Sequence, residues 1–257
     1  MDDAELARRQ HTSHRAFYRL LGRSPGNTVL EWPGVQATVV PGAPDRSMPN
    51  AVVFEDAEAL LAAHAELAAA YDAAGVRAWT VWTMPGDAAV GRRLEPLGHV
   101  FDGRPPLMAA TLAGLDLEPR RDLDLDSAPR WADVGRLNDL AYGLSGAPLE
   151  TALSGLPDAA AVHVLVARVD GAAAGSAVVL VCDRNAYVCF VAVAPAARGR
   201  GLCSELLRRA LARARDEGAT STTLEASAMG APIYAAMGYR VLGEMGMWER
   251  RVRNDSA

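Results

Sequence analysis

Tyr187-Val188-Cys189-Phe190-Val191-Ala192-Val193-Ala194-Pro195-Ala196-Ala197-Arg198-Gly199-Arg200-Gly201-Leu202-Cys203-Ser204-Glu205-Leu206-Leu207 is the stretch from which the fold of this chain can be read. The apolar, β-branched run from Val188 to Val193 suits a buried strand, and Pro195 stops it. Leu202, Leu206, Leu207, Ala210 and Leu211 then recur at helical spacing. The loop between them therefore ends on a helix N-terminus, where the first amide N–H groups lack intrahelical partners and the dipole favours an anion. Gly199 and Gly201 permit close backbone approach and positive φ, and Arg198 and Arg200 bring charge. The same residues also suit a tight connection with solvated arginines.

Taken whole, the pattern Arg198-Gly199-Arg200-Gly201-Leu202-Cys203, entered from Val193-Ala194-Pro195 and followed by Leu206-Leu207, resembles the acyl-CoA loop of the GNAT N-acetyltransferase superfamily. It is neither a Walker loop, which ends in Gly-Lys-Ser/Thr, nor a Rossmann fingerprint with its three glycines. The resemblance implies that Arg198, Gly199, Arg200, Gly201, Leu202, Cys203 and Ser204 cradle the pyrophosphate of acetyl-CoA or another acyl-CoA. Cys203 departs from the pattern, which has glycine or alanine there. A thiol beside arginines at a helix N-terminus is expected to react in the free protein and to be shielded by CoA.

A second stretch, Leu224-Glu225-Ala226-Ser227-Ala228-Met229-Gly230-Ala231-Pro232-Ile233-Tyr234-Ala235-Ala236-Met237-Gly238-Tyr239, resembles the other signature of that superfamily. By position the resemblance makes Tyr234 the general acid for the departing thiolate and places Ser227 along the pantetheine arm. It also lays that arm beside the backbone of Val191, Ala192 and Val193. A phenol is protonated at neutral pH and matches a thiolate in basicity. For the base, no carboxylate stands on the strand from Tyr187 to Val193, and Glu225 is the remaining candidate; its position equally suits an edge glutamate. Cys203 lies away from the thioester, so direct transfer without an acyl-enzyme is the expected route.

Working outward, 257 residues of which half are apolar supply a large core. A net charge of −5 argues against a general nucleic-acid binder. All 26 basic residues are arginine, which excludes a Schiff-base lysine. Cys182, Cys189 and Cys203 have no metal-type spacing, so no metal site and no disulfide is expected. The acidic start Met1-Asp2-Asp3-Ala4-Glu5 lacks a signal-peptide charge pattern and no apolar run spans a bilayer, giving an expected cytoplasmic, membrane-free location.

In chain order the pattern predicts a helix from Glu5 to Leu21, strands near residues 28–30, 35–40 and 51–54, and a helix from Ala57 to Ala74. A strand from Arg77 to Thr83, a helix from Asp87 to Leu97 and a strand from Leu107 to Leu112 follow. The second half repeats this order: a helix from Arg130 to Tyr142, strands from Val162 and Ala173, the opening stretch, a strand from Thr220, a helix from Gly230, and one last strand from Tyr239 to Arg250. The fold class read from this is α/β (α+β) with two GNAT-like mixed-sheet halves, residues 1–118 and 119–257, joined at Glu118 to Asp126. Glu55, Asp56 and Glu58 stand where the first copy's cradle would be, so the acyl-CoA site is expected in the C-terminal half alone. The implied function is acyl-CoA-dependent N-acyl transfer to a small-molecule or peptide amine; the alternative is a non-catalytic acyl-CoA sensor.

Overall fold

The structure is a computed structural model and describes residues 1–252. The first half of the chain forms α1 (Asp3–Leu21), β1 (Thr28–Trp32), β2 (Val35–Val39), β3 (Ala51–Phe54), α2 (Ala57–Ala73), β4 (Ala78–Thr83), α3 (Ala88–Leu94), β5 (His99–Gly103) and β6 (Pro106–Thr111). There follow β7 (Asp124–Leu125), α4 (Trp131–Tyr142), α5 (Pro148–Leu153), β8 (Val162–Val169), β9 (Ala172–Cys182), β10 (Asn185–Val193) and α6 (Leu202–Asp216). The chain closes with β11 (Ser221–Glu225), α7 (Ala231–Met237), β12 (Arg240–Glu244) and β13 (Gly246–Arg251). No described helix is long and apolar enough to cross a membrane.

These elements gather into two compact units that do not part near residue 118. The larger holds Met1–Ser13 and Pro106–Gly243, and the smaller holds His14–Pro105 and the segment from Glu244. Backbone ladders are the reason. β6 lies in the larger unit's sheet, antiparallel to β11 from Ser221↔Thr111 to Glu225↔Leu107. β13 lies in the smaller unit's sheet, antiparallel to β4 from Gly246↔Thr83 to Arg251↔Ala78. The single last strand expected from Tyr239 to Arg250 is accordingly two strands in different sheets, separated at the buried Met245. β5, β7 and α5 were not expected, and α4 begins one residue after the expected Arg130, which is its N-cap residue without a side-chain bond.

The expected repetition is visible in the topology. Strand order is β1-β2-β3-β4-β13-β5 in the smaller sheet and β8-β9-β10-β11-β6-β12 in the larger, with β7 added beside β8. Each sheet contains a parallel pair, β3 with β4 and β10 with β11, bridged by α2 and α6 respectively. In the larger unit α6 buries Leu202, Leu206, Leu207 and Leu211 against Ala177, Val179, Ala186, Val188 and Leu224. Each such leucine contributes about 1.5–3 kcal/mol of burial, which holds the loop before it in place.

The smaller unit's core contains a histidine pair. His64 Nε2 and His99 Nε2 are 2.9 Å apart, and His99 Nδ1 is 2.9 Å from the Trp248 carbonyl. A carbonyl only accepts, so His99 Nδ1–H donates to it and His99 Nε2 accepts from His64. Burial holds His99 down at about 4 and also lowers His64. His99 is therefore neutral in the fold over a range where the unfolded chain takes up a proton. Its stabilisation is full above about pH 6.5 and is lost as pH falls toward 4, amounting to about 3 kcal/mol. Urea unfolding at pH 7 and pH 4.5 should show that loss, and His99→Gln should show a smaller one.

Candidate active site

Strands β10 and β11 pair only at Asn185↔Ser221, Ala186↔Thr222 and Tyr187↔Thr223, and then part. Beyond Tyr187, β10 pairs with β9 alone, with a bulge between Cys189 and Ala192. Phe190 sits in the bulge at φ 48°, a strained angle for a residue with a side chain. Its carbonyl accepts from Ser176 Oγ at 3.0 Å and Asn138 Nδ2 at 3.4 Å, which fixes the distortion. Val191, Ala192 and Val193 thus lie on an edge that β11 does not cover.

From that edge the chain turns through a short 3-10 turn, Pro195–Ala197, and reaches α6 through Gly199 and Gly201, both at φ 76°. A Cβ on Gly199 would meet no atom within 4 Å, whereas one on Gly201 would lie 3.5 Å from the Arg121 guanidinium. Arg121 Nη1 donates to the Arg200 carbonyl at 3.0 Å. The segment carrying Arg121 is pinned to α6: buried Glu205 accepts from the Arg120 amide at 3.1 Å, and Arg209 donates to the Arg121 carbonyl at 2.7 Å. Arg198 instead turns to the end of α4, donating to the Ala141 carbonyl at 2.9 Å. The leucine at 202 is in the core, leaving only its backbone to face a ligand. Ser204 Oγ bonds back to the Gly201 carbonyl at 3.2 Å.

This cradle fits a diphosphate: two glycines open the backbone, the first amides of α6 lack intrahelical partners, and the Arg121 guanidinium lies beside Gly201. Arg121 lay within a charged run read as a join, and nothing in its spacing marks it as a cradle residue. Arg121→Ala should weaken CoA binding roughly tenfold and flatten its salt dependence, as calorimetry at two ionic strengths would measure.

The two candidate catalytic side chains approach the opening from opposite faces of the sheet. Ala186, Val188, Leu224 and Ala226 belong to the core under α6, so Tyr187, Cys189 and Glu225 face the other way. Glu225 Oε2 accepts from the Tyr187 hydroxyl at 2.7 Å, and Oε1 from Gln10 Nε2 of α1. Burial pushes this carboxyl up to about 7 against the lowering effect of its donors. Tyr234, on α7, packs in the α6-side core, where a Cβ on Gly230 would come within 2.8 Å of its ring. Burial, with Cys203, Tyr239, Tyr142 and Cys189 in electrostatic reach, pushes its phenol well above the usual range. Cys189 is in turn raised by burial and by Glu225, so it has both Glu225 and Tyr234 within reach across the opening.

Ser227 is exposed and its Oγ accepts from the Gly230 amide at 3.1 Å, a turn-forming role. Cys203 is partly buried and burial pushes its thiol up to about 11, which opposes the reactivity expected of it in the free protein.

In the smaller unit the corresponding features are closed. β3 reaches α2 through two residues, Glu55 and Asp56, where β10 reaches α6 through the eight from Ala194 to Gly201. Asp56 caps α2 at the Glu58 amide, Glu58 pairs with Arg93, and Glu55 pairs with Arg15. Trp82 follows core-facing Val81 as Glu225 follows core-facing Leu224, and its Nε1 donates to the Tyr18 hydroxyl at 2.8 Å.

Residues 135–239 match the family model described as the acetyltransferase (GNAT) family. Those residues are a GNAT acetyltransferase domain. Over the whole chain the fold is similar to a GCN5-related N-acetyltransferase from Kribbella flavida, at 20% identity over 97% of each chain and a TM-score of 0.68. It is also similar to a functionally unknown conserved protein from Staphylococcus epidermidis, at 15% identity over 90% of this chain and 95% of that one, TM-score 0.60. A tandem GNAT protein from the clavulanic acid biosynthesis pathway aligns at 14% identity over 97% of this chain and 98% of that one, TM-score 0.58. Comparison with curated proteins gave no match. The GNAT domain contains Tyr187, the loop from Arg198 to Ser204, Glu225 and Tyr234, while Gln10 and Arg121 come from outside it.

Proposed function

We propose that the chain is an acyl-CoA-dependent N-acyltransferase that uses acetyl-CoA and passes the acyl group directly to a small-molecule or peptide amine. The observation that carries this reading is the opening between β10 and β11, with a carboxyl poised near 7 on one face, a buried phenol on the other and the glycine cradle beside it. Bound acyl-CoA supplies an activated acyl carbon and a thiol leaving group. Arg121, Arg200 and the amides of Gly201 to Ser204 hold its phosphates, and the uncovered backbone of Val191 to Val193 receives the arm.

Glu225, ionised above about pH 7, takes the proton from the incoming amine, so the rate rises with pH through that value. Open amides on β10 donate to the negative charge that develops on the acyl oxygen. Tyr234 retains its proton throughout the neutral range and delivers it to the departing sulfur. One site per chain follows from the short, acidic β3–α2 connection of the smaller unit, which has no glycine cradle. The location we assign is the cytoplasm.

Thiol release from acetyl-CoA across a panel of small amines and peptide N-termini tests the reading. Amine-dependent, saturable release that drops in Tyr234→Phe supports it. Saturable CoA binding with no release on any amine would make the protein a sensor.

A further inference from the structure

The sequence assigned no chemistry to the first helix, yet its first three turns reach the face of the sheet that carries Glu225. Arg9 Nε is held by Glu5 at 2.7 Å, and Arg9 Nη1 donates to Thr220 Oγ1 at 2.9 Å and Ser221 Oγ at 3.1 Å. One turn later Ser13 Oγ accepts from Asn185 Nδ2 at 3.0 Å, and Asn185 Nδ2 also donates to Thr223 Oγ1 at 2.7 Å. These contacts, one residue before and three after, fix the rotation of α1 and present Gln10 to the carboxyl. Gln10 is fully buried. Its amide nitrogen meets Glu225 Oε1 while the Tyr187 hydroxyl meets Oε2.

We propose that Gln10 and Tyr187 are positioning residues that clamp the Glu225 carboxylate, one donor on each oxygen, and so set the orientation and protonation of the reaction's base. This rests on the reading of Glu225 as the base. The physical case is that a carboxyl in this enclosure is driven toward its neutral form, which cannot act as a base. Donors favour the ionised form. Both donors are themselves unable to take the proton: an amide is not basic, and a phenol is already protonated. The backbone of Glu225 itself also favours the ionised form, and Gln10 and Tyr187 add to it the two side-chain donors. Cys189 on β10 has its thiol pushed well above the usual range and stays neutral, Leu107 opposite Glu225 on β6 is apolar, and His11 is the next residue of α1.

Carbon-13 NMR of glutamate side chains, with the Glu225 signal assigned by its absence in Glu225→Gln, reads the clamp without turnover. In the wild type the carboxyl should titrate near 7. In Tyr187→Phe and in Gln10→Met it should move up by about one pH unit each, because each variant removes one donor to the ionised form. The pH midpoint of amine-dependent thiol release should move with it, giving several-fold lower activity at pH 7 and a retained plateau at high pH. Calorimetry with CoA checks that the cradle is intact. Tyr187→Phe keeps the ring that packs on the sheet, so it carries the test alone should Gln10→Met not fold. A wild-type Glu225 titrating near the ordinary carboxylate value would remove the base reading itself. A wild-type value near 7 that stays put in both variants would leave the base in place and overturn the clamp.

Discussion

Gly201→Glu should abolish detectable CoA binding, while Gly201→Ala should weaken it and leave a measurable affinity. Gly201 is the residue before the first turn of α6 and holds φ 76°, ψ 11°, a left-handed conformation that costs any other L-residue about 1–2 kcal/mol. Alanine adds that strain and a methyl 3.5 Å from the Arg121 guanidinium, which is ordinary contact. Glutamate adds a carboxylate in the same place. There it pairs with Arg121, removing a cation from the cradle, and repels the phosphates that the helix amides would receive. At an effective dielectric constant near 20, one unit charge about 4 Å from another is worth about 4 kcal/mol, or nearly a thousandfold in affinity. Titration calorimetry should give one site per chain in the wild type and no heat in Gly201→Glu, with helix content unchanged by circular dichroism. Residual binding at half the wild-type stoichiometry would point to a second site in the smaller unit.

Tyr234→Phe should lower kcat by about 10²–10³ and leave CoA affinity close to that of the wild type, within the range expected for loss of a positioned acid. The ring is retained, so packing against Gly230 and the 5.9 Å approach to Tyr239 persist and the variant folds. The hydroxyl makes no hydrogen bond to another group among the described residues, so its removal breaks no internal bond. Because burial raises this phenol, no falling limb of activity should occur below about pH 10 in the wild type. The rising limb near pH 7 belongs to Glu225 and should persist in the slow variant. Stopped-flow or steady-state thiol release over pH 5.5–9 measures both features.

The central stretch was readable because strand, glycine turn and helix differ in local residue pattern, and Val188, Gly201 and Leu206 each follow that pattern. Tyr234 was named by its place in a matching segment, and Glu225 as the carboxylate that remained once the strand from Tyr187 to Val193 offered none. What stayed hidden is non-local. Neither the apolar β6 nor the half-charged β13 has a sequence that says which sheet will bond it, so the cut near residue 118 followed chain order and the structure follows hydrogen-bond ladders. Arg121 and Gln10 reach the site from 80 and 215 residues away in sequence, and only the fold of the larger unit brings them to Gly201 and Glu225. Cys203 shows a related contrast: helix dipole and arginines favour a thiolate, whereas partial burial, which the sequence does not display, pushes the thiol up to about 11.

The central claim is that this chain transfers an acyl group from acyl-CoA to an amine in the opening between β10 and β11. Counting free CoA and acylated amine in the same reaction, by mass spectrometry across the amine panel, tests it most directly. The expected result is one acylated amine for every CoA released, no acyl group left on the protein, and neither product in Gly201→Glu. Wild-type protein that binds one CoA per chain yet yields no acylated amine, or CoA release matched only by free acid, would contradict it.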